Sequence, residues 1–283
     1  MPQVQFLRAS VGEWIGGRSV VPDPASARAF AGAINDDTTE LLDGTSVTPM
    51  FGIVPIYGPL FEAVDSVTPE HLRGTIVHGA HEILFHEPIV AGVPISARAR
   101  VTGLHGSRAG TVVSVQIIVT TTEGHLSSEQ WATAIVRGAT TTADLGERTT
   151  IGKVNAAAND SDAGFNRVVS SVLPDQTHLY AAASGDNNAV HVDDEAARQA
   201  GFAGVILHGL CTLGIVAGSV TRASGVGDQR SLRRVSARFA GPAYPGVDLV
   251  TDIRATHPTD CYNFETRDAG GRKVLSSGLI EIR

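Results

Sequence analysis

The chain carries one pattern of residues twice, and this repeat limits its fold more than any other feature. A Phe-Ala-x-Ala-x-x-Asp spacing ends at Asp36, and a Tyr-Ala-x-Ala-x-x-Asp spacing ends at Asp186. A Phe-x-x-Pro-x-x-x-Gly spacing begins at Phe85 and again at Phe239, in each case just before a strand pattern. Spacings that recur in the same order indicate two copies of one structural unit. We therefore predict two tandem domains of similar fold.

Each copy is predicted to combine helices with a run of antiparallel strands. Hydrophobic periodicity and breaker residues predict helices over 24–34, 48–64 (kinked at Pro55 and Pro59), 174–184, 194–200 and 209–223. Alternating patterns predict strands over 78–85, 94–104, 110–121, 126–138, 165–173, 231–239, 248–257, 261–268 and 273–283, with short extended pieces at 4–8 and 11–15. This order predicts an α+β fold, with helices laid on antiparallel sheets.

A polar, small-residue stretch without periodicity separates the two copies. We assign 1–140 to the first domain, 141–163 to a linker and 164–283 to the second domain. A third possible match between the copies is rejected. His78-Gly79 lies close before Phe85, whereas His208-Gly209 lies far before Phe239, with a helix between them.

Composition restricts the partners. The formal net charge is -7 and the pI is near 5.8, which argues against nucleic acid or an anionic membrane as the main partner. No stretch approaches the length of an apolar membrane span, and the N-terminus lacks the pattern of a secretory signal. Cys211 and Cys261 are too few for a disulfide framework, so we expect a cytoplasmic protein.

The stretch after the second repeated acid concentrates polar groups between apolar runs. Asp186, Asn188 and His191 follow a Ser-Gly pair that suits the end of a helix. A carboxylate and a neutral imidazole at one site can share a water molecule, one accepting its proton and the other orienting it. That chemistry adds water to a carbon–carbon double bond or removes it. Asp193 is assigned instead to the N-cap of the next helix.

The first copy lacks this second group, because Leu41 stands where His191 stands in the second copy. We expect the apolar segment 48–64 to take the place of the acid–histidine motif there and to form a pocket for an apolar ligand. The first domain is therefore interpreted as a degenerate copy that accommodates an apolar chain.

The apolar helix that begins at Gly209 is the third candidate component. Because nearly all of its faces are apolar, it should be buried, and the free N–H groups of its first turn should point into a dry cavity. Such a helix start can stabilise an oxyanion. A buried helix that is simply capped by the residues before it also satisfies the pattern.

These residues together resemble the signature of the MaoC-like (R)-specific enoyl-CoA hydratases and 3-hydroxyacyl-thioester dehydratases. The resemblance covers about seventy residues of the second copy closely and the whole chain more weakly. The matching residues are Ser184-Gly185-Asp186-x-Asn188-x-x-His191, Gly201-Phe202, Ile206-Leu207-His208-Gly209 and Phe239-x-x-Pro242-x-x-Pro245-Gly246.

The resemblance implies two tandem hotdog folds, each a long central helix wrapped by an antiparallel sheet, with the two sheets paired. It implies that Asp186 and His191 act on the hydrating water, that Asn188 holds their loop, and that the Gly209 N–H binds the oxyanion. It further implies an acyl-CoA substrate, no metal or other cofactor, and a homodimer. The family usually has proline after the asparagine, where this chain has Ala189.

Four residues are predicted to bind substrate: Arg234, Arg238, Phe202 and His208. Arg234 and Arg238 share one face of a strand and could bind the phosphates of CoA, although a solvated strand face is the more common explanation for such a pattern. His208 is interpreted as a structural residue beside the site.

Two other functions fit the same residues. The chain could be an acyl-thioester-binding partner subunit with weak or no catalysis, as Ala189 and the degenerate first copy would allow. It could also be a hotdog thioesterase, which would hydrolyse thioesters that have no 2,3 double bond.

Overall fold

The computed structural model describes residues 1–149, 151, 165–225, 227–256 and 260–283. Seven helices are present in these residues: α1 (Pro24–Ala33), α2 (Thr39–Leu42), α3 (Tyr57–Val67), α4 (Gln176–Ser184), α5 (Ala189–Val192), α6 (Asp194–Gln199) and α7 (Gly209–Ala223). Short 3-10 helices span Arg8–Ser10, Pro49–Ile56, Glu70–Thr75 and Gln229–Ser231.

Thirteen strands accompany the helices in the described residues. The strands of the first half are β1 (Gln3–Val4), β2 (Ile15–Gly16), β3 (Ile76–Phe85), β4 (Ile95–Ser107), β5 (Gly110–Thr121), β6 (Leu126–Arg137), β7 (Thr140–Thr141) and β8 (Leu145–Gly146). Those of the second half are β9 (Phe165–Ser170), β10 (Leu232–Phe239), β11 (Leu249–Thr256), β12 (Cys261–Asp268) and β13 (Lys273–Ile282).

One long sheet runs through both halves of the molecule. Its strand order is β2-β4-β5-β6-β3-β10-β13-β12-β11-β9, with β8 paired to β4. β3 and β10 meet antiparallel at the centre, with Val235 opposite Ile83. Counted outward from this central pair, β6, β5, β4 and β2 of the first half correspond to β13, β12, β11 and β9 of the second. The two halves are therefore related by an approximate two-fold axis. The predicted pair of antiparallel sheets is confirmed.

The same symmetry corrects one expectation about the first half. α1 corresponds to α4, and the apolar stretch Pro49–Val67 precedes β3 as α7 precedes β10. This stretch is therefore the counterpart of the central helix and does not replace the acid–histidine motif. Thr48 caps its start through Met50 N, and the 3-10 segment that contains Pro55 gives way to α3 at Tyr57. Proline removes a backbone donor and interrupts regular helical bonding.

The stretch Pro49–Val67 is the one described helical segment that is long and apolar enough to cross a membrane. About two thirds of it, 67%, is buried inside the protein. α7 is buried more completely, since every residue from Leu210 to Thr221 is enclosed. Both stretches therefore behave as central helices of a folded core, which the sheet covers.

α1 and α4 tie the halves together on the helical side. The rings of Phe30 and Tyr180 lie 5.8 Å apart between their centroids. Gln176 Nε2 donates a hydrogen bond of 2.8 Å to the carbonyl of Ala33. The repeated Phe/Tyr-Ala-x-Ala spacing thus marks two equivalent helices that pack against each other.

Local differences from the sequence predictions occur where elements are short. The extended pieces predicted at 4–8 and 11–15 are wrong in extent, since only Gln3–Val4 and Ile15–Gly16 are strands and Arg8–Ser10 is a 3-10 turn. Of the predicted linker, residues 141–149 and 151 are described, and Leu145–Gly146 pairs with β4. The rest of the linker lies outside the described residues, and the domain boundaries stay predictions.

Candidate active site

The candidate acid is held by the turn that ends α4. Gly185 has a φ of 80° and closes the helix through a bond from its N–H to the carbonyl of Ala181. The chain then reverses, and the Asp186 carboxylate accepts a hydrogen bond of 3.2 Å from the N–H of Asn188. Asp186 is buried and lines a cavity that residues of both halves enclose. Its carboxylate is thus held by its own backbone turn, and it forms no ion pair with a cation of the described residues.

His191 lies on α5, a four-residue helix where an irregular loop was predicted. Asn188 is the N-cap of this helix and accepts from Val190 N at 3.5 Å. His191 Nδ1 lies 2.8 Å from the carbonyl oxygen of Ile206. Because a carbonyl oxygen only accepts, Nδ1 carries the proton, and in the neutral ring Nε2 is left as an acceptor.

The carboxylate and the imidazole are close enough to share one water molecule. An Asp186 carboxylate oxygen and a ring nitrogen of His191 lie within 4.8 Å of each other. Burial raises the pKa of the Asp186 carboxyl, while His191 and the Asn188 N–H oppose that shift. Burial lowers the pKa of His191, opposed by the Ile206 carbonyl and by Asp186. The two shifts bring the pKa of the carboxyl and that of the imidazole closer together, which favours an acid–base pair.

His208 contacts both members of this pair. Its ring stacks on that of His191 with centroids 3.9 Å apart. Its Nε2 donates to the backbone carbonyl of Asp186 at 2.9 Å, and its Nδ1 faces Thr177 Oγ1 at 3.3 Å. Burial, followed by the nearby His191, lowers the pKa of His208 to about 3. His208 is enclosed and does not line the cavity, so its contacts are with the catalytic loop.

The start of α7 faces the same cavity. Gly209 is the first residue of α7 and lines the cavity wall. Its N–H donates to no other group in the part of the chain that the structure describes. A Cβ at this position would lie 3.0 Å from the ring of Phe239. The sequence therefore needs glycine here to keep Phe239 packed against the helix start, with the N–H open to the cavity.

A cavity of about 840 Å³ joins these groups, within the range of small-molecule sites. Part of its wall comes from the second half, where Phe202, a predicted substrate-binding residue, lies near the loop. The opposite wall belongs to the first half and is formed by Tyr57, Leu60, Phe61, Val64, Ile76, Val77, His78, Ala132 and Ala134. The first half thus contributes a largely apolar wall that faces the catalytic groups.

The cations at this cavity are not the two that the sequence pattern suggested. Arg234 forms ion pairs with Glu82 at 3.0 Å and with Glu281 at 3.2 Å. Neither Arg234 nor Arg238 lines the cavity; Arg238 is exposed on β10. Two exposed arginines of the first half, Arg73 and Arg137, do line it.

Arg73 and Arg137 are held near the cavity mainly by backbone carbonyls. Arg73 Nη2 donates to the carbonyl of Asp65 at 3.2 Å, and Arg137 Nε donates to that of Thr75 at 3.4 Å. The Arg73 guanidinium lies 4.0 Å from the Asp65 carboxylate, and both side chains are well exposed. Sequence reasoning missed both arginines, because they lie in the copy that lacks the catalytic motif.

A metal ion would find few free ligands here. A carboxylate oxygen of Asp186 and ring nitrogens of His191 and His208 lie within 4.8 Å of one another. Both nitrogens of His208 already face protein partners, and Nδ1 of His191 donates to Ile206. Two donors remain, fewer than the three protein ligands of catalytic zinc sites. The arrangement is therefore better suited to proton transfer than to metal binding.

The fold and site define a class of protein: two hotdog units in one chain, with an acid–histidine pair in the second unit and a central helix start beside it. A Mycobacterium tuberculosis protein described as having a double hotdog fold superposes with a TM-score of 0.64, at 12% identity, covering 96% of this chain and 95% of that one. A MaoC-like dehydratase from Phytophthora capsici superposes with a TM-score of 0.80, at 18% identity, covering 98% and 97% of the two chains.

Sequence comparison specifies the family within that class. The MaoC like domain model matches residues 155–269. The 3-hydroxyacyl-thioester dehydratase Y of M. tuberculosis is 30% identical over 258 residues, covering 86% of this chain and 85% of that protein. The chain belongs to the MaoC-like dehydratase family. Three further relatives are matched over only 37%, 35% and 27% of their own lengths: a probable enoyl-CoA hydratase 2 of Dictyostelium discoideum, the peroxisomal enoyl-CoA hydratase 2 of Arabidopsis thaliana and the peroxisomal multifunctional enzyme type 2 of Mus musculus.

Proposed function

We propose that this protein is a hydro-lyase that adds water to a trans-2-enoyl thioester, giving the (R)-3-hydroxyacyl thioester, or removes it in the reverse direction. One observation carries the proposal. Asp186 and His191 face a cavity onto which the Gly209 N–H at the start of α7 also opens. This arrangement supports a water-activating pair and an oxyanion donor that act on the same substrate. Names of relatives such as 3-hydroxyacyl-thioester dehydratase agree with it.

The reaction needs a base, an acid and a site for negative charge. Asp186 and the Nε2 atom of His191 hold a water by its two protons, and one of them accepts a proton as the oxygen bonds to C3. The π electrons move toward the thioester carbonyl, and the Gly209 N–H stabilises the resulting enolate oxygen. The same pair then delivers the proton to C2. Positioned acid–base groups contribute roughly 100- to 10,000-fold, and one oxyanion donor about 3 kcal/mol.

A single product configuration agrees with this geometry. Asp186 and His191 both lie in the short segment that follows α4, His191 on α5, so the water approaches the double bond from one side of the cavity. Addition to one face of a planar alkene gives one enantiomer at C3. The (R) assignment rests on the family that the chain belongs to.

The walls of the cavity suggest how the substrate lies. The apolar residues of α3, among them Leu60 and Val64, suit an acyl chain. Arg73 and Arg137 suit the phosphates of coenzyme A, since guanidinium groups bind phosphate oxygens with two parallel hydrogen bonds. We therefore propose that the first half binds both ends of an acyl-CoA while the second half performs the reaction.

The proposal is tested by hydration of trans-2-enoyl-CoA substrates of increasing chain length, followed by chiral analysis of the product. Separation of the product from the substrate reports turnover directly. We expect 3-hydroxyacyl-CoA of one configuration. Binding of acyl-CoA without turnover at any length would instead favour a non-catalytic partner subunit. Release of free thiol from saturated acyl-CoA would favour a thioesterase.

A further inference from the structure

Two tyrosine hydroxyl groups meet where the two halves of the protein touch behind the active site. Tyr57 is the first residue of α3, in the first half, and Tyr180 lies on α4, in the second. Their hydroxyl oxygens are 2.8 Å apart. Tyr57 lines the cavity, whereas Tyr180 is fully enclosed, with its ring on that of His208 at 4.9 Å.

The burial of Tyr180 determines which hydroxyl donates. Among the described residues, the Tyr180 hydroxyl has one hydrogen-bond partner, the oxygen of Tyr57. If Tyr57 donated to it, the proton of Tyr180 would be buried without an acceptor, and leaving such a group unpaired costs about 1–3 kcal/mol. Tyr180 therefore donates to Tyr57, and the proton of Tyr57 remains available to a ligand in the cavity.

Tyr57 lines the same cavity as Asp186 and His191. Burial raises the pKa of both tyrosines well above the usual range, so both stay protonated, and the charge of Asp186 adds to this effect on each. The charge of Asp186 acts on three described groups, Tyr57 on α3, Tyr180 on α4 and His191 on α5, and His208 donates to its backbone carbonyl. Of these residues, Tyr57 belongs to the first half.

We propose that Tyr57 donates a hydrogen bond to the oxygen that is added to or removed from C3, an inference that rests on the proposed function. A water molecule in a buried site commonly makes three or four hydrogen bonds. Its two protons are bound by Asp186 and His191 Nε2, and one lone pair must point at C3. The other lone pair accepts from Tyr57, which orients the water for addition and stabilises the leaving hydroxyl group during dehydration.

The test compares three variants in steady-state hydration of a trans-2-enoyl-CoA and in thermal unfolding. Tyr57→Phe removes the donated proton and keeps the ring. Tyr180→Phe keeps that proton but removes the group that orients Tyr57. The double variant Tyr57→Phe/Tyr180→Phe removes both hydroxyl groups and leaves no buried hydroxyl unpaired, so it separates chemistry from packing.

We expect kcat of Tyr57→Phe to fall about 10- to 100-fold with KM within about twofold, as for loss of a donor to the reacting atoms. Tyr180→Phe should lose less than about tenfold. The double variant should recover thermal stability relative to Tyr57→Phe and stay as slow. If the double variant recovered kcat together with stability, or if Tyr57→Phe kept the wild-type rate, the role of Tyr57 would be overturned and the proposed function would stand. A wild-type protein that hydrates no enoyl-CoA would overturn the proposed function, and this inference with it.

Discussion

Asp36 and Asp186 occupy equivalent places in the two halves and make the same turn. Each carboxylate accepts a hydrogen bond of 3.2 Å from the backbone N–H two residues further on, Thr38 in one case and Asn188 in the other. Both side chains are buried, and burial raises the pKa of both carboxyls. The halves therefore share the acid and its turn, and they differ in the histidine that only the second half supplies.

This equivalence provides a matched control for the catalytic residues. Asp186→Asn and His191→Ala should each lower kcat for enoyl-CoA hydration by about 100- to 10,000-fold, because each removes one member of the water-activating pair. Asp36→Asn changes the same chemical group in the same kind of turn and should keep the wild-type rate. Circular dichroism and thermal unfolding would verify that all three variants are folded. Comparable losses in Asp36→Asn and Asp186→Asn would refute the assignment of catalysis to the second half.

The pair also predicts the acid limb of the pH–rate profile. The active form needs an ionised Asp186 and a neutral His191, so the rate should fall when the pair takes up a proton. Burial raises the pKa of Asp186 from its usual 3.8 and lowers that of His191 from its usual 6.5. Because the two groups titrate together, we expect one acid limb in kcat/KM that belongs to the pair and lies above the usual carboxyl value of 3.8. A limb centred above pH 7 would contradict the proposed protonation state.

The catalytic loop could be predicted from sequence because its determinants are local. Asp186, Asn188 and His191 lie within one short stretch, and Gly185 and Asp193 predict the helix end and the helix start beside them. Asp193 does accept from Glu195 N and Ala196 N at the start of α6. α7 was predicted with its observed bounds for a similar reason, since it is apolar throughout and is opened by a glycine.

The wall that the first half contributes to the cavity could not be predicted, because it depends on how the two sheets meet. Tyr57 and Arg73 reach the cavity only because β3 pairs with β10 and brings the first half against the catalytic loop. The sequence predicts that the two sheets are similar, but the register between β3 and β10 decides which side chains face the site. The Arg234 side chain, chosen from its strand face, pairs instead with Glu82 across that same junction.

The arginines at the cavity and those on the strand face should differ in their effect on coenzyme A binding. Arg73→Ala and Arg137→Ala should each raise KM for an enoyl-CoA about three- to tenfold, as expected for exposed phosphate contacts. Neither should change KM for the matching enoyl-pantetheine thioester, which lacks the nucleotide phosphates. Arg238→Ala, on the exposed strand face, is the control. If it alone raised KM for the CoA substrate, the phosphates would bind where the sequence pattern suggested.

The apolar wall predicts control over chain length. Leu60 of α3 lines the cavity, and Leu60→Trp would fill part of the volume that we assign to the acyl chain. We expect kcat/KM for long enoyl-CoA substrates to fall at least about tenfold, while short ones are hydrated at nearly the wild-type rate. Leu42→Trp adds the same side chain on the surface, since Leu42 is exposed. It should leave the dependence of kcat/KM on chain length unchanged. An equal loss for all chain lengths in Leu60→Trp would place the acyl chain elsewhere.

A hydrogen-bonded series of histidines in the first half predicts how the free energy of unfolding depends on pH. His81 is enclosed, with Nε2 2.9 Å from Gln130 Oε1 and Nδ1 3.2 Å from His78 Nε2. Gln130 Nε2 donates to the carbonyl of Gly52, so its Oε1 accepts from His81. Burial lowers the pKa of His81 from 6.5 to about 4, so between these values the unfolded chain binds a proton that the folded protein excludes.

The free energy of unfolding should therefore fall as the pH drops from 6.5 to 4, by about 3 kcal/mol from His81 alone. His81→Gln removes one of the titrating groups and should reduce the slope of this part of the curve, even if it lowers stability at pH 7. His71→Gln, at an exposed position, is the matched control and should keep the wild-type slope. Urea unfolding at successive pH values measures the slope for each variant. An unchanged slope in His81→Gln would show that His81 takes up its proton in the folded protein as readily as in the unfolded chain.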